Sequence, residues 1–215
     1  MAENETELWV WWQRCIGTER ATFDSLLSRH REEHRRYHTT SHVAWVIRHC
    51  RTLLNDHFGD GQTVDDARPD DAVVIAAAFW HDAVYDPTSA SNEHASAQLA
   101  ARDLAALGWG DSSITRVAHA IEGTADHLHP ADDAEAVLFD ADLAILGAEP
   151  RAYGDYVDGV RYEYRHVPDD AWRTGRATVL RSFLSREHIY ATPAGRLLWA
   201  ARAAANLEAE LAALD

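Results

Sequence analysis

Several absences narrow this chain before any motif is considered. It has two cysteines, Cys15 and Cys50, in 215 residues. They are too few and too isolated for a disulfide framework or a zinc ribbon, and a reducing cytoplasm is the expected compartment. Positive charge is scarce: 20 Lys and Arg face 35 Asp and Glu, a formal net charge of -15. That balance argues against a nucleic-acid polymer as partner, because phosphate backbones reward basic surfaces. It leaves room for a small anion, since an ion and a few arginines make a local positive site. No apolar run approaches the roughly 20 residues of a membrane helix, so no membrane partner is expected, and the acidic first residues do not read as a signal peptide. Alternating Val/Thr-rich runs are rare, and with them the case for strands. Glycine-rich phosphate loops are missing, with neither a Walker pattern nor G-x-G-x-x-G, and no Ser-His-Asp arrangement has local support.

What is present is apolar and helix-forming. The chain is 47% hydrophobic and 26% charged, ordinary values for a globular protein, and its length suits one sizeable core. Its Ala, Leu, Arg and Glu content and its apolar stripes predict an all-α domain spanning 1–215. Helices are expected over 5–15, 19–34, about 39–58, 69–83, 92–107, 112–127, 133–146, 153–165, 170–186 and 193–214, with 59–68 a polar loop. The Trp-rich first segment either docks its aromatic face on the core, the commoner outcome, or forms a homodimer contact.

The unusual stretch is Phe79-Trp80-His81-Asp82, which closes the apolar run from Ala72. A carboxylate at the end of such a helix is costly unless it is paired or bound to a metal. Three other places offer matching groups. His38 and His42 stand four residues apart at a helix start and would share a face if that helix began early enough. Asp140 and Asp142 lie inside an apolar helix, about 200° apart around its axis, so only one reaches a given ion, and periodicity does not decide which. His119 and His127, eight residues apart, would lie on one face of a single helix. Thirteen histidines are present in all.

The order His42, His81-Asp82 and a late aspartate in Ala141-Asp142-Leu143 resembles the H…HD…D signature of the HD-domain metal-dependent phosphohydrolase superfamily. The resemblance covers about 37–146. With Asn92-Glu93, Tyr153 to Tyr164 and Gly175-Arg176 it extends to an uncharacterised bacterial branch of predicted HD phosphohydrolases. It implies an HD-type helical bundle, with N-terminal helices over 5–34 and C-terminal helices over 150–214 packed on the core. It implies His42, His81, Asp82 and Asp142 as ligands of one divalent ion, and in some members a second ion. Two imidazoles and two carboxylates suit Mn, Fe, Co, Ni, Zn or Mg, so ligand type does not identify the metal. The chemistry implied is attack on phosphorus by a metal-activated hydroxide, in a small phosphorylated substrate, most plausibly a nucleotide.

Asp82 or a nearby carboxylate is then the catalytic proton acceptor, Asp82 being a ligand as well. His38 is similar to the first histidine of the Tyr-His-x-x-x-His pattern in cyclic-nucleotide phosphodiesterases, which protonates the leaving oxygen. Glu93 is a candidate base or nucleophile-positioning group. His119 and His127 are candidates for a second metal or a phosphate contact. Arg161, Tyr164 and Arg176 are candidate substrate contacts, since guanidinium matches phosphate oxygens; for each of these three a structural role is the commoner outcome. The rival readings are a di-iron HD-type oxygenase and a non-catalytic metal-stabilised nucleotide-binding or sensor module.

Overall fold

A computed structural model describes residues 2–58 and 69–214; the expected loop over 59–68 lies outside the described residues. Every regular element among them is helical: α1 (Ala2–Cys15), α2 (Arg20–Arg29), α3 (Thr40–Phe58), α4 (Pro69–Trp80), α5 (Asn92–Ala106), α6 (Asp111–Gly123), α7 (Asp133–Leu143), a 3₁₀ turn (Ala144–Gly147), α8 (Pro150–Glu163), α9 (Asp169–Leu184) and α10 (Pro193–Leu214). The all-α expectation holds.

The core forms around α4. Val73 through Trp80 are all buried, as expected of a helix that is apolar all round, and α1, α3, α5, α6 and α7 pack against it. Trp12 of α1 is fully buried and meets Phe23 and Phe79 edge-on, with ring centroids 5.4 Å apart in both pairs. The Trp-rich segment thus docks on its own core. Helix α7 is buried on opposite faces, from Ala134 to Leu143, because α3 and α4 cover it while α10 packs on the 3₁₀ turn that follows.

Several helices end earlier than periodicity suggests, and these ends matter for the site. Helix α2 stops at Arg29, so Arg31 to Thr39 form turns. Arg35, although it stands among the charged residues 31–36, is buried. Its guanidinium donates to the backbone carbonyls of Asp82 at 2.7 Å, His38 at 3.1 Å and Ala83 at 3.2 Å. Helix α3 begins only at Thr40, with the Thr39 hydroxyl accepting from the Ser41 amide at 3.3 Å; His38 therefore precedes the helix and does not share its face with His42. Helix α6 ends at Gly123, so His119 and His127 are not on one helix. Beyond that end His127 and His129 both take φ 54°, a left-handed conformation that side chains other than glycine adopt at a cost.

Candidate metal centre and its cleft

Three elements deliver the expected ligands to one point. His42 comes from the first turn of α3, His81 and Asp82 from the turn that closes α4, and Asp142 from the end of α7. His42 Nε2 lies 3.1 Å from His81 Nε2 and 3.2 Å from both Asp82 Oδ2 and Asp142 Oδ1. His81 Nε2 lies 3.1 Å from Asp82 Oδ2 and 3.6 Å from Asp142 Oδ1. His42, His81 and Asp142 form a mutually close set able to hold a cation, and Asp82 reaches both imidazoles of that set. Both histidines are buried, while each carboxylate keeps a small accessible surface.

The donor chemistry fits a divalent ion. His81 Nδ1 lies 3.0 Å from the Ala78 carbonyl, which accepts its proton and leaves Nε2 as the lone-pair nitrogen of a neutral ring. That lone pair faces a second imidazole nitrogen and two carboxylate oxygens. Such groups repel unless a proton or cation stands among them. Atoms about 2.0–2.2 Å from one ion sit roughly 3–3.5 Å from each other, close to the spacing seen here. Where protons serve instead, burial opposes the charged imidazoles, but Asp82 and Asp142 outweigh it: His42 is raised and His81 is raised well above its ordinary 6.5. Burial also opposes charge on Asp82 and Asp142, yet His81 and its neighbours hold both well below the usual carboxylate range.

Asp140 faces elsewhere. Its carboxylate accepts from the amides of Ala191 at 2.6 Å and Thr192 at 2.8 Å, and from the Thr192 hydroxyl at 2.7 Å. The two aspartates that periodicity leaves indistinguishable thus divide between the start of α10 and the cluster.

The cluster opens into a cleft of about 510 Å³ whose lining includes His38, Asp82, Glu93, His127, Asp142 and Tyr164. Its far wall comes from α8 and α9, through Tyr156, Val160, Val179 and Phe183. His38 is the best-anchored side chain there. Its Nδ1 lies 2.7 Å from Glu163 Oε2, its ring packs on Tyr85 at 4.3 Å, and its Nε2 is 4.0 Å from Asp82 Oδ2. Glu163, buried at the end of α8, also accepts from the amides of Arg36, Tyr37 and His38 at 2.6, 2.7 and 3.0 Å and from the Tyr85 hydroxyl at 3.0 Å. Burial alone would raise the Glu163 carboxyl, but its bonds with His38 and those amides push it down to about 2.

Of the second-metal candidates, His127 joins the site, with Nε2 2.8 Å from Asp142 Oδ2. His119 does not: its side chain is 63% exposed and pairs with Glu135. The arginines also stay away. Arg161 donates to the carbonyls of Tyr164 and Val167 and to Asp169; Arg176 pairs with Glu210 and donates to the Tyr156 hydroxyl. Both brace α8 and α9 instead of lining the cleft. Glu93 lines the cleft without bonding to the cluster. Arg35 and Glu163 were missed because a charged residue in a polar stretch and a glutamate near a helix end carry no sign of the carbonyls and amides they meet only after folding. No family model, curated protein or solved structure matches this chain.

Proposed function

We propose that this chain is an HD-type phosphohydrolase that cleaves a phosphate ester or anhydride of a small molecule, a nucleotide being the first class to test. The observation that carries the reading is the convergence of His42, His81, Asp82 and Asp142 at one wall of a cleft where an anchored histidine waits. A divalent ion held by those four would supply Lewis-acid activation of water and of a phosphoryl oxygen.

The chain's own groups supply the rest. Glu163 fixes the His38 ring, so that in its imidazolium form the Nε2 proton is offered to the leaving oxygen. Asp82 lies beside that path and, being held strongly ionised, serves to align water through hydrogen bonding more than as a strong base. The O–P bond from water forms, the bond from phosphorus to the leaving oxygen breaks and that oxygen takes the His38 proton; one water proton stays on the product phosphate and the other passes to solvent, from which His38 is reprotonated. Arg35 holds the His38 and Asp82 segments together through their carbonyls, keeping the donor in register with the ligands.

The di-iron oxygenase is the second reading, favoured by one observation: Asp142 turns Oδ1 to the imidazoles and Oδ2 to His127, as a carboxylate shared by two ions would. The test is phosphate release by protein loaded with Mn²⁺, Co²⁺ or Mg²⁺ across nucleoside mono-, di- and triphosphates and cyclic and bis-phosphorylated nucleotides, beside Asp82→Ala. Turnover that falls to background in Asp82→Ala is expected. Silence across the panel in fully loaded protein removes nucleotides as the substrate class and shifts the weight to the second reading, which two irons with oxygen uptake would establish.

A further inference from the structure

The charge of the cleft points to what it takes. Its lining carries three carboxylates, Asp82, Glu93 and Asp142, with His38 and His127 and no arginine among the described residues; the chain has no lysine anywhere. One divalent ion balances Asp82 and Asp142 and leaves Glu93 over. Glu93 is half-buried in the first turn of α5 and has no hydrogen-bond or ion-pair partner among the described residues. Facing the same space are the flat, partly apolar surfaces of Tyr85, Tyr156, Tyr164 and Phe183.

A carboxylate left free in such a cleft pairs best with N–H donors, and the bond is stronger when the carboxylate is ionised. Aromatic walls favour a flat or apolar organic group. A phosphomonoester brings about two negative charges; with the ion matched by Asp82 and Asp142, each further phosphate adds charge that only a His38 imidazolium faces, beside the unpaired Glu93 carboxylate.

We propose, resting on the hydrolase reading above, that Glu93 is the specificity-determining residue of this cleft and that the substrate is a phosphomonoester whose organic part offers an N–H donor to it. Polyphosphates are poor ligands. The donor is either a ring amino group or an alkyl ammonium.

The test uses Mn²⁺-loaded full chain, with calorimetric binding and phosphate release measured on four probes: adenosine monophosphate, phosphoethanolamine, phenyl phosphate and adenosine triphosphate. Wild type is expected to bind at least one of the first two about tenfold or more tighter than either of the others, the stronger of the two identifying the donor as ring amino or ammonium. In Glu93→Gln, shown by melting and metal content to be folded and loaded, that preference over phenyl phosphate shrinks about tenfold. A preference unchanged by the substitution overturns the proposal, as does tighter binding of the triphosphate or no binding of either N–H-bearing ester. Selective binding lost in Glu93→Gln without phosphate release would keep the ligand class and discard the hydrolase. Phosphate release indifferent to Glu93 would do the reverse.

Discussion

His30 is a buried histidine whose two ring nitrogens both lack a partner among the described residues. Burial, helped by the nearby Arg35 charge, lowers it from 6.5 to about 3. The folded pKa lies below the unfolded one, so the unfolded chain binds the extra proton between them, and stability present above pH 6.5 is lost as pH falls towards 3. The limiting slope is about 1.4 kcal/mol per pH unit. His42 and His81 are shifted upward, so their contribution is complete below pH 6.5 and fades only above it. Glu163, lowered to about 2, acts below the ordinary glutamate range. His49 is lowered by burial too and Asp140 is raised by it, so the interval from pH 6 to 5 reads His30 as the difference from a variant that lacks it. Across that interval the wild type should lose about 1 kcal/mol more in urea unfolding than His30→Leu; equal slopes would rule out a neutral buried His30.

At the scale of elements, the site is held by joints between segments distant in sequence. Glu163 ties α8 to residues 36–38, and Asp140 ties α7 to the start of α10. A carboxylate serves at Glu163 because three amides, an imidazole and a phenol all donate to it. Glu163→Gln keeps the shape but turns an NH₂ group toward donors, leaving buried groups unsatisfied. The expected cost is about 2–4 kcal/mol in denaturant unfolding. Because His38 loses its anchor, kcat should fall more than KM rises once a substrate is in hand. A stable variant with unchanged kcat would remove Glu163 from the positioning of His38.

For the whole molecule, the centre joins α3, the α4 turn and α7, so an ion bound there stabilises the folded chain over the unfolded one. Saturation at about 100 times Kd adds roughly 2.7 kcal/mol, which for a domain of this size raises Tm by about 5–10 °C. Chelator should reverse the gain, and Asp142→Asn should abolish it. Asp140→Asn should lower Tm while leaving the ion-dependent increment intact, because its partners are Ala191 and Thr192. An increment lost in Asp140→Asn and kept in Asp142→Asn would overturn the placement of these two residues.

The sequence by itself determined the helical class and the kernel of the centre. Both are local: the apolar run ending at His81-Asp82 records its own burial, and a polar pair there needs a partner whatever lies around it. Helix ends were read less well. Turns after Arg29 and Gly123 put Arg35 in the core and separate His127 from His119, because tertiary contacts decide where a helix stops paying for its own continuation. Periodicity could not choose between Asp140 and Asp142, and although the resemblance pointed to Asp142, the physical reason is tertiary: the two differ in what packs on each face of α7. Tertiary structure alone took Arg161 and Arg176 out of the cleft and brought Glu163 to His38. Each of these rests on a contact between residues far apart in the chain, and such a contact leaves no pattern in the sequence near either partner.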